Sequence, residues 1–118
     1  MARRDTINRY LADNVAASSG VNETIGQDPI PPNRIFRITR FGAALPGNGR
    51  AELQKKLGPG PSGWKTIAAV IGPGHAQYEN IFNIEGGPDS ALRIRRVNDD
   101  GSPQRIMAWI EGYKNTRV

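Results

Sequence analysis

The sequence predicts an all-β chain folded as one antiparallel β-sandwich of about eight strands. Three observations carry this expectation. Fourteen glycines and nine prolines break the chain about every 8–12 residues, the turn spacing of a sandwich. The segments between them are short and rich in β-branched and aromatic residues, which suit a pleated, half-buried surface. The length, 118 residues, is that of one domain, enough to bury a core without metal or disulfide support.

The elements follow in chain order. Thr6–Ala16 and Val21–Gln27 are the first expected strands, and residues 1–27 together form either edge strands or an extended N-terminal arm. In Asp28-Pro29-Ile30-Pro31-Pro32-Asn33 three prolines forbid regular pairing. Arg34–Leu45 is a long strand, with Phe36 and Ile38 expected on one face and Ile35, Thr39 and Phe41 on the other. Arg50–Leu57 reads as strand from Ala51 and Leu53, although Glu52 and Lys56 also fit a helical i,i+4 pair. The Gly/Pro runs on both sides limit any helix there to about two turns. Trp64–Ile71, Gln77–Ile84, Ala91–Val97 and Gln104–Lys114 complete the set. Asn98-Asp99-Asp100-Gly101-Ser102-Pro103 has turn chemistry, so the last two strands are expected to pair as a hairpin with Gly101 at positive φ. Phe36, Phe82 and one or both tryptophans are expected in the core.

Composition narrows the function. The chain has no cysteine, which removes disulfides and thiolate-bound zinc or iron–sulfur sites. No apolar run approaches the ~20 residues of a bilayer span. Met1-Ala2-Arg3-Arg4-Asp5 has no apolar stretch behind it, so the chain is expected to be soluble and unprocessed. The sequon Asn22-Glu23-Thr24 is then incidental. The net charge is +5, from twelve arginines and four lysines against eleven acidic residues. Such charge attracts nucleic acid, anionic lipid or an acidic protein surface without choosing among them. The arginine bias favours forked contacts and protein interfaces.

The motifs that could carry chemistry resolve as turns. Gly58-Pro59-Gly60-Pro61-Ser62-Gly63-Trp64-Lys65-Thr66 has the glycines of a phosphate loop, but Trp64 displaces Lys65 from the position after the second glycine. His75, the single histidine, sits in Gly72-Pro73-Gly74-His75 without a nucleophile elbow or a second imidazole. Asp99 and Asp100 are adjacent and point apart in extended chain, and Glu85 and Asp89 around Gly86-Gly87-Pro88 offer too few oxygens for a calcium loop. The expectation is a non-enzyme with no metal and no cofactor.

The remaining candidates are surface residues. Arg93 and Arg95 share one strand face opposite Leu92 and Ile94, as Arg37 does in its own strand. A solvated sheet face is the ordinary outcome of such alternation. Strand 104–114 is apolar on both faces: Ile106, Ala108 and Ile110 on one, Met107, Trp109 and Tyr113 on the other. Segment 65–71 shares this property, with Ile67, Ala69 and Ile71 opposite Thr66, Ala68 and Val70. Since only one face can serve the core, Met107, Trp109 and Tyr113 with Arg93, Arg95, Arg3 and Arg4 are the expected protein-interface residues. Cover by the N-terminal arm or the Gly/Pro loops is the alternative.

Two stretches resemble a known family. Ile30-Pro31-Pro32-Asn33-Arg34-Ile35-Phe36-Arg37-Ile38 resembles the proline-led start of a core strand in small β-sandwich structural proteins of tailed-phage virions. Leu92-Arg93-Ile94-Arg95, Asn98 and Trp109-Ile110-Glu111-Gly112-Tyr113 resemble the closing hairpin of that family. The resemblance implies a jelly-roll-like sandwich without catalytic residues, serving as a capsid cement or decoration protein that bridges shell subunits. It implies further copies of this chain and a major capsid protein as partners, and a place in the virion, assembled in the host cytoplasm. A collar or tail component, a basic nucleic-acid-binding module and a carbohydrate-binding module on a fibre remain open alternatives; no membrane is implied. Purified protein is expected to hydrolyse neither ATP nor GTP, and turnover that disappears in Lys65→Ala would overturn this reading of the glycine loop.

Overall fold

A computed structural model of the chain describes residues 4–25, 34–56, 63–85 and 91–116. Expectations for Asp28–Asn33, the Gly58–Ser62 part of the glycine loop, Gly86–Asp89 and Arg3 fall outside these residues, as do the side chains of Arg4, Phe82 and Glu85. The strands are β1 (Arg4–Leu11), β2 (Asn14–Val15), β3 (Ser19–Thr24), β4 (Arg34–Lys56), β5 (Trp64–Glu85), β6 (Leu92–Asn98), β7 (Gln104–Arg105) and β8 (Met107–Thr116). Every pairing is antiparallel. Among the described residues there is no helix, so Arg50–Lys56 takes the strand alternative.

β4 and β5 each do the work of two strands. The first half of β4, 34–44, pairs with β8, and its second half, 49–55, pairs with β6. β5 follows β4 through both halves, with the register broken between Leu45 and Gly49. The hydrogen-bonded ladder therefore folds over on itself at this corner into two layers. Taking β1, β3, the two halves of β4, the two halves of β5, β6 and β8 as segments A to H, the layers run A-H-C-F and B-G-D-E. That is the strand order of a jelly roll. The β2–β7 ribbon closes one end.

The core lies between the layers, where side chains from both inner faces interdigitate. Ile7, Phe36, Ile38, Phe41, Ala43, Ile106, Ala108 and Ile110 come from one layer and Ala51, Leu53, Val70, Leu92 and Ile94 from the other. Phe41 departs from the expected alternation. A bulge between Ile38 and Arg40 inserts Thr39 into the ladder, so the inward positions run 36, 38, 41, 43, 45. Thr39 Oγ1 donates to the Glu111 carbonyl at 3.1 Å and satisfies part of the interruption. Both tryptophans stand half-buried outside the core.

Three expected turns are corrected. Pro46–Gly49 and Gly72–His75 do not separate strands; they are the corner through which β4 and β5 pass together. At Gly49 a side chain would collide with the Val97 carbonyl oxygen, so only glycine lets β4 approach β6 here. The third correction concerns 98–103. β6 pairs with β3 and β4, and β8 with β1 and β4, so these strands are not a hairpin. The loop carries the chain from one layer to the other, and Gly101 stands in open space, outside the positive-φ residues Ser18, Gly49 and Gly74.

Side chains of Asn98 and Arg96 hold that crossing. Both point inward and are buried. Asn98 Nδ2 donates to the carbonyls of Val15, Ala16 and Ser102 at 2.9–3.2 Å, and its Oδ1 accepts from the Asp100 amide and Gln104 Nε2. Arg96 reaches the Ile106 carbonyl at 3.0 Å and the Asp13 carboxylate at 2.7 Å. A buried donor or acceptor stripped of its partner costs about 1–3 kcal/mol. Asn98→Ala, which orphans several at once, is expected to lower stability by about 3 kcal/mol, read as a drop in the urea midpoint at unchanged slope.

Candidate binding faces

Each layer turns one face outward, and the two differ in chemistry. On the A-H-C-F layer, cross-strand register aligns Tyr10, Trp109, Gly42 and Gln77 in one row. The next row is Asn8, Glu111, Arg40 and Glu79, and on the other side Met107, Ala44 and His75 follow. A Cβ built on Gly42 would meet three Trp109 ring atoms at 2.6–2.7 Å. Near-equal distances to three ring atoms mean that the indole lies face-down over the glycine. This is a tryptophan covering a strand glycine, a pairing that compensates the missing side chain. The Tyr10 ring is inclined to the indole by only 21°, at a centroid separation of 6.3 Å. That separation lies within the range of offset aromatic pairs, so the two near-parallel rings are displaced sideways along the row, a stepped pavement on the sheet.

Polar side chains edge this pavement as a connected rail. Trp109 Nε1 donates to Gln77 Oε1 at 2.8 Å, and Gln77 Nε2 to Glu79 at 3.1 Å. Arg40 lies 3.8 Å from Glu79 and 3.4 Å from Glu111. At the opposite side Tyr10 Oη meets Met107 Sδ at 3.1 Å. A cavity of about 410 Å³ continues from this row, lined by Ala44, Leu45, Pro46 and Met107 with His75 and Arg105 as its polar members.

The B-G-D-E layer presents a polar web. Arg93 Nε donates to Gln54 Oε1 at 2.7 Å, and its guanidinium lies 4.0 Å over the Trp64 ring. Burial and the neighbouring Arg95 charge push the Arg93 pKa down. Arg95 donates to Asn22 at 3.2 Å. Glu52 is nearly buried beneath this web, where it accepts from Thr66 and Gln54 and pairs with Arg50. Burial by itself raises the Glu52 pKa, but the Thr66 hydroxyl, the Arg50 guanidinium and the Gln54 amide together bring it below the usual carboxylate range.

The expected interface residues thus divide. Met107, Trp109 and Tyr113 share the outward face of β8, each half-buried by residues of the same chain. Arg93 and Arg95 belong to the other layer and are engaged laterally. Arg4 opens β1 opposite Asn115. Sequence reading missed Tyr10, Gly42, Gln77 and Arg40, which come from three strands distant in sequence and meet only through register. The one local signal was the lone glycine in the apolar run Phe41-Gly42-Ala43-Ala44-Leu45, a mark of close approach. Among the described residues no group of three or more His, Asp or Glu side chains could hold a metal ion. His75 is exposed in β5, opposite Ala44.

No family model matches the chain, and no curated protein matches its sequence. Solved structures with a similar outline include a pilus of Bacillus endospore appendages, at 9% identity over 98% of this chain and 92% of that one, with a TM-score of 0.48. A carbohydrate-binding module, TmCBM61 in complex with beta-1,4-galactotriose, covers 99% and 88% at 12% identity and a TM-score of 0.46. The coat protein of Tobacco streak virus covers 93% and 86% at 11% identity and a TM-score of 0.39. Scores below 0.5 describe a loose likeness of outline, and no role passes from these proteins to this chain.

Acid should loosen the fold through two carboxylates. The Arg96 guanidinium holds the Asp13 carboxyl below its ordinary range, and Glu52 is also depressed. A carboxylate whose folded pKa lies below its unfolded value stabilises the fold above the unfolded value, about 4, and loses that contribution as the pH falls through the folded one. Unfolding midpoints measured between pH 7 and pH 2 should fall in that acid window, and the Glu52→Gln variant should show a shallower slope there.

Proposed function

We propose that this chain is a virion structural protein of the cement or decoration type, a non-enzyme that bridges neighbouring subunits through the free edge of β5. The observation that carries this reading is the edge itself. β5 is 22 residues long and serves as the outermost strand of both layers at once. Among the described strands it pairs with β4 alone. No described strand pairs with its other side, where the Ala69 carbonyl accepts from the Tyr78 hydroxyl at 2.8 Å and the remaining edge is a template for a strand of another chain.

Soluble proteins ordinarily blunt such edges with charge, proline or bulges. Here Lys65, Pro73, Glu79 and a bulge at Ile67 do so in part, but Thr66-Ile67-Ala68-Ala69-Val70-Ile71 has neither charge nor proline. Ile71 is 67% exposed. An uncharged, β-prone hexapeptide on a long edge is an aggregation hazard unless a partner covers it. The opposite side is better guarded, because Arg9 of β1 and Glu23 of β3 form an ion pair between the two layers there. In this reading further copies of the chain and a major capsid protein are the partners, met during assembly in the host cytoplasm. Nucleic acid fits less well, since the Arg93 guanidinium lies over the Trp64 ring and both Arg93 and Arg95 are held sideways by Gln54 and Asn22 on the sheet.

Ile71→Lys tests the edge directly. The position is exposed, so the folded chain should tolerate the charge with its thermal midpoint within a few degrees of wild type. Self-association in sedimentation and binding to particles lacking the protein should both be lost. Undiminished binding by a folded Ile71→Lys protein would defeat the proposal.

A further inference from the structure

From the outward face of the A-H-C-F layer we infer a second capability: the Tyr10–Trp109 pavement and its polar rail form a binding site for a neutral carbohydrate chain. This goes beyond the structural role proposed above and uses a different surface, so either can fail alone.

The argument starts from the pavement. A pyranose ring has one face of C–H groups, made weakly positive by the attached oxygens, and aromatic faces are negative. The best receptor for that sugar face is a ring lying flat and open to solvent. Tyr10 is 60% exposed, and the indole of Trp109 is held flat by its seat on Gly42. Two near-parallel rings whose centroids lie 6.3 Å apart offer successive supports for neighbouring sugar units.

The rail supplies the second requirement. Sugar hydroxyls are recognised by planar side chains that donate and accept together. Here Gln77 does both, Arg40 donates and Glu79 and Glu111 accept, and their mutual contacts hold them in place before any ligand arrives. Side chains ordered in advance lose less entropy on binding. They remain accessible, with Arg40, Glu79 and Glu111 side chains 44%, 59% and 45% exposed.

Charge selects the ligand class. Two carboxylates flank one guanidinium in the rail, which repels phosphates and so disfavours nucleic acid, the other ligand that stacks on aromatic rings. The exposed apolar surface of this face is two aromatic rings and a methionine, a small patch beside the ~800 Å² that each partner contributes to a standard protein interface. A neutral polyhydroxylated chain satisfies both limits. The 410 Å³ cavity beside Met107 and His75 lies in the next row, where the chain would continue from the pavement.

The experiment is affinity electrophoresis of the intact protein in gels containing soluble galactan, β-glucan, or the O-polysaccharide of a bacterial lipopolysaccharide, with tryptophan fluorescence as a second readout. At least one polysaccharide should retard the wild-type protein and shift its emission to the blue. Tyr10→Ala, at an exposed position, should weaken retardation at least tenfold without changing the thermal midpoint, and Gln77→Ala should weaken it several-fold. Trp109→Ala should abolish retardation; because it uncovers Gly42, Trp109→Phe is the companion variant, expected to keep partial binding. Ile71→Lys, on the other layer's edge, should bind sugar as wild type does. No retardation by any of these polysaccharides would overturn the inference, as would retardation indifferent to Tyr10→Ala and Gln77→Ala.

Discussion

The corner where β4 and β5 turn together from one layer to the other fixes the position of every other strand. Because both strands cross at the same place, the layers cannot slide independently. Any shift of β8 on the first half of β4 would have to be matched by β6 on the second half. The close approach at Gly49, under the Val97 carbonyl, locks that relation. Jelly-roll order then follows from few choices: β1 adds outside β8, and β3 outside β6.

Polar side chains inside the sandwich act on the same problem from the other end. Asn98 and Arg96 occupy inward positions that hydrophobic residues would fill in a simple alternating strand. Their hydrogen bonds satisfy carbonyls of Val15, Ala16, Ser102 and Ile106, which lie where the β2–β7 ribbon leaves the regular ladder. Irregular backbone near a core carries unpaired groups that water no longer serves. Two long polar side chains reach several of them at once. The ribbon is held by this specific chemistry, and its location is more sharply defined than apolar packing alone would make it.

Much of the strand content was legible in the sequence because turn residues and β-branched segments act locally. The Pro46–Gly49 and Gly72–His75 clusters read as turns between strands, and they are instead where two continuous strands bend. Whether an interruption ends a strand or bends it depends on what lies beneath, and that information sits in β6 and β8, later in the chain. The Asp99–Gly101 turn misled for the same reason: local chemistry marks a turn, while register decides which strands it joins. The bulge at Thr39 was written into the spacing of Phe36, Ile38 and Phe41, three apolar residues that break a period of two. The outward face of β8 was legible as Met107, Trp109 and Tyr113. Its partners Tyr10, Gln77 and Arg40 were not, because cross-strand neighbours carry no mark in sequence until the ladder is known.

The continuity of β5 across both layers has a mechanical consequence. A strand pairing along one flat sheet edge is loaded one hydrogen bond at a time when pulled sideways, and it peels. A partner that follows β5 around the corner would contact both layers through one continuous strand. Peeling that begins in one layer would meet the bend, beyond which the bonds belong to the other layer and are not yet in line with the pull. A joint of that shape ties both layers to one partner without a covalent link, which suits a chain that has no cysteine to form one.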